Sequence, residues 1–378
     1  MKYITNGIII MPDELIEGRT LAYDKKIEGI VDTADIPAGA ECIDAQGGYV
    51  SPGLVDIHIH GYLGEDTSDG KADGIRKMAN GIMKNGVTSW CPTTMTVSME
   101  EINAALNAVR SLKEESKTWE GAEILGVNLE GPFINPKKKG AQAEEHIKKA
   151  DAKFVLDNAD VIRVATMAPE TEGCCDAIRE ITSKSSVRVS IGHTDATFEE
   201  ANAGIAAGAT HITHLFNAQT PLHHRNPGVV GAGLVGDVTT ELIADTFHVN
   251  KGLFELVAKM KGDKLVLITD CTRAGGMPDG EYTLGGQKIY VKGIQCLLED
   301  GTIAGSVLKL NNAVKNLRDN TTLPFSKVVA CASLNAAKAI GADNKGSLEN
   351  GKDADIVITD GDFNVKKTII GGELRYEA

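Results

Sequence analysis

His58 and His60 stand two apart in Ser51-Pro52-Gly53-Leu54-Val55-Asp56-Ile57-His58-Ile59-His60-Gly61. Leu54 to Ile59 read as a buried strand bounded by Pro-Gly and Gly. Alternate side chains of a strand share a face, so the two imidazoles aim together while Ile57 and Ile59 aim the other way. Converging imidazoles suit a transition metal, although such a pair also fills half-polar core positions. The other histidines and carboxylates decide between these readings. Glu130 ends Asn128-Leu129-Glu130, His193 follows Ser190-Ile191-Gly192, His214 follows His211-Ile212-Thr213, and Asp270 ends Leu267-Ile268-Thr269-Asp270. A nitrogen and oxygen ligand set without cysteine fits a catalytic site with a position open to water. Zn²⁺ is the first choice, with Fe²⁺, Mn²⁺ and Co²⁺ compatible. A bound metal brings the pKa of water to about 7. Asp270 then reads as the general base, or as a further ligand. His211, three before His214, faces away from it on a strand and reads as structural.

These groups need elements to hold them. Eight strand candidates alternate with helices: Gly53–His60, Val87–Thr94, Ile124–Glu130, Val161–Met167, Val187–His193, Thr210–Leu215, Glu241–Thr246 and Lys264–Asp270. Helical stretches include Asp73–Lys84, Met99–Glu115, Phe198–Ala207, Leu253–Met260, Leu308–Arg318 and Ser326–Ile340. That alternation marks a parallel α/β sheet, and eight units fit a (β/α)8 TIM barrel. A doubly wound sheet is the alternative, but no glycine-rich dinucleotide fingerprint follows any strand. In such barrels chemistry gathers at the C-terminal strand ends. Histidine or carboxylate occupies five of the eight here, which favours the metal reading.

Residues 1–50 and 345–378 hold short apolar runs cut by turn residues, and neither end builds a sound sheet alone. The two termini are expected to pair. Residues 1–52 and 342–378 then form a small β-sandwich domain, and 53–341 form the barrel. Residues 275–300 read as a β-hairpin after the eighth strand, placed to cover the site.

A chain of 378 residues, 42% hydrophobic, buries a full core. No apolar run reaches the roughly 18 residues of a membrane span, and the first residues lack a signal-peptide cleavage pattern. Seven cysteines without paired spacing suggest reduced thiols in a cytoplasmic enzyme, with Cys91 and Cys271 as small hydrophobes. A net charge of −13 argues against nucleic acid, while a local basic site can still hold a small anion. The run Lys137-Lys138-Lys139 is a solvated loop tip or helps draw in such an anion.

Taken together, the motifs PGLVDIHIHG, LEGPFINPKKKGAQ, IGHTDAT, THLFNAQTPLHHRNPGVVGA, TDCTRAGG and GSLENGKDADIVI resemble the amidohydrolase superfamily. Within it they resemble the N-acetylglucosamine-6-phosphate deacetylases, over nearly the whole chain. LEGPF and THLFNA with HHRNPG are specific to that family; the His-x-His and the closing motif GSLENGKDADIVI occur across the superfamily. The resemblance implies hydrolysis of the acetamide of an amino-sugar phosphate, releasing acetate and glucosamine 6-phosphate. It implies that Glu130, His193 and His214 hold the principal metal and that Asp270 is the acid and base. Asn217 and the Ala218 backbone would bind sugar or phosphate. Arg225 and His248 would clamp the phosphate, a role guanidinium chemistry suits. Ala141 and the Ile303-Ala304-Gly305 backbone would complete the pocket. Part of the clamp would cross a dimer interface, so a homodimer is implied.

Two features depart from many members of that family. His58 and His60 are both present, which allows a second metal bridged by Glu130. Gln142 stands where a carbonyl-polarising histidine is common, a role glutamine fills weakly. A linked reading has the second metal take over carbonyl polarisation. Rival expectations are a deacetylase for the galactosamine epimer, another amidohydrolase such as a dihydroorotase or D-aminoacylase, and a catalytically silent barrel used for assembly. Such silent barrels lose ligands, and none of the expected ligands is missing here.

Overall fold

The computed structural model describes residues 1–378. Eight parallel strands run Leu54–Ile59, Val87–Thr94, Val127–Glu130, Ile162–Met167, Arg188–Ile191, His211–Ile212, Thr239–Ile243 and Leu265–Ile268. Each pairs in parallel with the next. The ring closes between its first and eighth members: Asp270 N donates to His58 O at 2.8 Å, and His60 N donates to Cys271 O at 2.9 Å. This is the expected (β/α)8 barrel.

The fifth and sixth strands are shorter than their apolar runs suggest. His193 has φ 47 and His214 φ 24, outside the extended region, so pairing stops before each histidine. The helices answer to local chemistry. Capping boxes start two of them where the sequence places them, Ser98 with Glu101 before Met99–Leu112 and Thr197 with Glu200 before Phe198–Ala207. The single helix expected over Ser326–Ile340 is instead two, Phe325–Cys331 and Leu334–Ala339. Ser333 between them leaves helical geometry (φ −139, ψ −88), and its hydroxyl donates back to Val329 O at 2.8 Å.

The termini meet in one six-stranded sheet. It joins Ile8–Ile10, Leu15–Ile16 and Tyr49–Pro52 to Ile356–Thr359, Val365–Ile370 and Glu373–Glu377. A four-stranded sheet of Ile27–Val31, Thr20–Tyr23, Lys2–Thr5 and Glu41–Asp44 lies beside it. The run Tyr3–Met11 is thus split between two sheets. A separate apolar cluster of 12 buried residues, including Ile4, Tyr23, Val50 and Ile356, fills the space between those sheets, apart from the 83-residue core of the barrel.

Residues 275–300 form a three-stranded antiparallel meander rather than a hairpin, through Gly280–Leu284, Gln287–Lys292 and Gln295–Leu298. Gly293, at φ 61, permits the second reversal. All seven cysteines are free, and Cys91 and Cys271 are fully buried among barrel residues. No helix is long and apolar enough to cross a membrane.

Candidate metal centre

Six side chains from five strand ends meet at the C-terminal mouth of the barrel. His58, His60 and Asp270 form one ligand-capable set, and Glu130, His193 and His214 another; within each set the donor atoms lie within 4.8 Å of one another. Glu130 joins the sets. Its Oε1 is 3.1 Å from His193 Nε2, 2.9 Å from His214 Nε2 and 3.2 Å from His58 Nε2, while Oε2 is 3.1 Å from His60 Nε2. Asp270 Oδ1 faces His60 Nε2 at 3.1 Å and His58 Nε2 at 3.5 Å.

The backbone is bent to achieve this. His193, His214, Ala218 and Asp270 all take left-handed φ, from 24 to 50. Non-glycine residues in that region cost of order 1–3 kcal/mol each and cluster at functional sites.

The donor set fits a divalent cation. His58 Nε2 is fully buried and, despite its distance to Glu130, makes no hydrogen bond. His193 Nε2 and His214 Nε2 lie 3.1 Å apart, both turned to one carboxylate oxygen. Only a cation or shared protons reconcile so many inward-facing acceptors. The electrostatics agree. Burial opposes ionisation of Glu130, but the imidazoles of His58 and His193 outweigh it and hold the carboxyl well below its usual range. Burial likewise opposes the charge on Asp270, yet hydrogen bonding from His60 and the nearby imidazoles keep it below the ordinary carboxylate value. Burial would also strip the proton from His60, but Asp270 and Glu130 override it and lift the imidazole to about 10. These are the marks of a negative pocket that demands positive charge.

A cavity of about 310 Å³ opens over the cluster. His60, Glu130, His193, His214 and Asp270 line it, together with Ala141, Gln142, Asn217, Ala218, His248, Ile303 and Gly305. Leu284 of the meander covers one side. Gln287 of the same meander donates to Ala141 O at 2.6 Å, which ties the cover to the loop after the third strand and occupies that carbonyl. A larger, more polar cleft of about 570 Å³ lies beyond that loop, around Asp66, Glu144 and Arg273, and none of the six cluster side chains lines it.

Individual residues depart from expectation. Gln142 reaches the cavity, but its Nε2 donates to Glu130 Oε2 at 2.7 Å and its Oε1 accepts from Thr96 N at 2.6 Å. Both ends of the amide are engaged and orient Glu130, which leaves one Nε2 hydrogen at most for a substrate carbonyl. His248 is held by Asp245, Nδ1 to Oδ2 at 2.6 Å, leaving its Nε2 edge for the cavity. Asn217 turns its amide to the His214 and Leu215 carbonyls. Ala304 does not reach the cavity: it is fully buried and its N–H is spent on Cys296 O at 3.0 Å. Arg225 does not reach it either. It stands exposed in a bend over residues 224–226, with Nη1 2.7 Å from His224 Nε2. Lys137, largely exposed, and Lys138 lie 3.2 and 3.9 Å from Asp195, as in a solvated loop tip.

Two groups escaped the sequence reading. Glu241, buried in the seventh strand, bonds His58, His211 and His214; a lone charge in the apolar run TTELI was the available signal. Asp56, also fully buried, accepts from Thr269 Oγ1 at 2.7 Å, two residues before His58. His211 stays outside the ligand set: its ring turns to Thr239 and Glu241, whereas His214 meets Glu241 only through its backbone N–H and turns its ring to Glu130.

A closed barrel with this ligand set at its mouth defines a metal-dependent hydrolase of the amidohydrolase type. The sequence profile of the amidohydrolase family matches residues 49–375, and the chain belongs to that family, in its N-acetylglucosamine-6-phosphate deacetylase branch. The N-acetylglucosamine-6-phosphate deacetylase of Bacillus subtilis (strain 168) is 42% identical over 333 residues, covering 86% of this chain and 84% of its own. The N-acetylgalactosamine-6-phosphate deacetylase of Escherichia coli O157:H7 is 37% identical over 345 residues, 90% of each chain. Among solved structures, the N-acetylglucosamine-6-phosphate deacetylase of Pasteurella multocida superposes with a TM-score of 0.95 at 33% identity, over 100% of both chains.

Proposed function

We propose that this chain hydrolyses N-acetyl-D-glucosamine 6-phosphate to D-glucosamine 6-phosphate and acetate, in amino-sugar breakdown and recycling. The observation that carries the reading is Asp270, lining one small cavity directly beside a five-residue ligand set, with Oδ1 3.1 Å from His60 Nε2. Glu130, His193 and His214 would hold one divalent ion, and His58 and His60 a second with Glu130 shared. Zn²⁺ is the ion that this mixed nitrogen and oxygen set suits best. Such an ion lowers the pKa of water to about 7 and polarises a carbonyl oxygen. The chain's own residues do the rest. Asp270 accepts the proton of the attacking water as the new C–O bond forms, then delivers it to the nitrogen as the C–N bond breaks. Gln142 keeps Glu130 in place. Leu284 and the Gln287–Ala141 tie keep bulk water out.

His248, backed by Asp245, is our phosphate contact within the chain, with Asn217, the Ala218 backbone and Ile303-Gly305 around the sugar. We assign Arg225 to the cavity of a second copy in a homodimer. Its exposure and distance from its own cavity support that reading, and its guanidinium suits a phosphate dianion. Free, mostly buried thiols support a cytoplasmic location. We take residues 1–52 and 342–378 as the small β-domain and 53–341 as the barrel.

Acetate release from N-acetylglucosamine 6-phosphate, with and without chelator, tests substrate and metal together. No release at any metal loading would sink the proposal. A second reading, the galactosamine epimer, is favoured by the 37% identity to the Escherichia coli enzyme. Comparing kcat/KM on the two sugar phosphates decides between them.

A further inference from the structure

We propose that Glu241 is a positioning residue of the metal centre, fixing which nitrogen of His58 faces inward and clamping the backbone of His214. The proposal rests on the metal-centre reading above. Glu241 is fully buried in the seventh strand, beneath the cavity. A carboxylate there is costly unless every oxygen is satisfied. Three donors satisfy it: His58 Nδ1 at 3.0 Å, His211 Nε2 at 3.0 Å and the His214 backbone N–H at 2.9 Å.

An ionised carboxylate only accepts, so the His58 nitrogen facing it must carry the hydrogen. That leaves the lone pair of neutral His58 on Nε2, the atom turned toward Glu130 and Asp270. This is the tautomer a metal ligand needs, and a carboxylate behind a histidine is the usual means of enforcing it. The same oxygen, Oε2, receives both His58 and the His214 N–H. It therefore ties the first strand's ligand to the sixth strand's, and supports His214 at its strained φ of 24. His211 completes the device. Its other nitrogen is 2.5 Å from Thr239 Oγ1, so it holds the far oxygen of Glu241 and fixes the carboxylate's orientation.

The test uses the metal-free full chain titrated with Zn²⁺ against a chromophoric chelator, as wild type, Glu241→Gln and His211→Phe. Glutamine keeps the shape but offers one acceptor atom where three donors converge. Zn²⁺ affinity is expected to fall about 10–100-fold in Glu241→Gln, the usual effect of removing such a partner. A smaller loss is expected in His211→Phe, and altered visible bands are expected in Co²⁺-loaded Glu241→Gln. A Glu241→Gln protein with a lower melting temperature but wild-type Zn²⁺ affinity and Co²⁺ spectrum would overturn the proposal, since a merely structural carboxylate behaves that way. Should Glu241→Gln fail to fold, undiminished Zn²⁺ affinity in His211→Phe overturns it. A wild type that binds no Zn²⁺ sinks the metal-centre reading and this proposal with it, a result distinct from either variant's.

Discussion

Asp270 carries two requirements at once: it must be ionised to accept a proton, and buried to exclude competing water. Burial opposes that charge, and two neighbouring imidazoles overcome it, His60 by a hydrogen bond and His58 and His60 by their positive field. Asp270→Asn is expected to cut kcat by about 10²–10⁴-fold, the usual worth of a positioned proton acceptor, with KM little changed in steady-state assays. Gln142 makes a different kind of contribution. Gln142→Leu strands the buried Thr96 N–H and frees Glu130 Oε2, so unfolding in urea should show a loss of about 1–3 kcal/mol. Unchanged stability there would mean that water replaces the amide without cost.

Elements place these residues by where they stop. The barrel strands end just before His193, His214 and Asp270, and the left-handed turn at each swings the side chain over the mouth. Gly305 packs against one of these turns. Its φ is +58, and a Cβ there would sit 2.7 Å from Thr272 Cγ2 and 3.0 Å from Asp270 O. Gly305→Ala is therefore expected to lower both stability and kcat, read by thermal melting and by single-turnover acetate release. The meander over residues 280–298 acts at longer range through Gln287. Gln287→Ala removes one hydrogen bond to the Ala141 loop, worth about 1 kcal/mol. The expected result is a several-fold rise in KM with a smaller change in kcat.

On the scale of the whole chain, Lys345 holds the terminal strands to the barrel. Its buried ammonium meets Glu123 at 2.6 Å, Asp353 at 2.9 Å and Asp355 at 2.8 Å. Lys345→Met leaves carboxylates uncompensated and should cost about 3–5 kcal/mol in denaturant unfolding. Burial alone would lower the Lys345 pKa, but Asp355, Glu123 and Asp353 raise it well above the usual lysine value. A raised folded pKa means this stabilisation is complete below the unfolded value near 10.4 and fades as pH climbs through the folded one. Asp353 shifts the other way: burial raises its pKa, but Lys345 and Lys26 bring it below the ordinary value. Its share therefore persists above about 3.9 and is lost as pH falls below that. The gap between wild type and Lys345→Met should be flat between these limits and narrow outside them. Assembly is testable too. If Arg225 serves a partner's cavity, mixing inactive Arg225→Ala and Asp270→Asn proteins under subunit exchange restores about one quarter of wild-type turnover, because half the dimers carry one complete site. No recovery would place Arg225 outside the partner's cavity.

The ligand residues and the barrel were legible in the chain itself, because strand periodicity is local and polar groups at the ends of apolar runs stand out. His58, His60, Glu130, His193, His214 and Asp270 could be named from that pattern alone. What the pattern could not carry is partnership between distant segments. Glu241 meeting His58 across 183 residues, Gln142 spending its amide on Thr96 and Glu130, and Arg225 standing away from its own cavity depend on three-dimensional packing. Hydrogen-bond direction is set by where backbones cross, and no one-dimensional spacing encodes it. The same reason explains why the helix expected over 326–340 broke at Ser333 and why the cover has three strands rather than two.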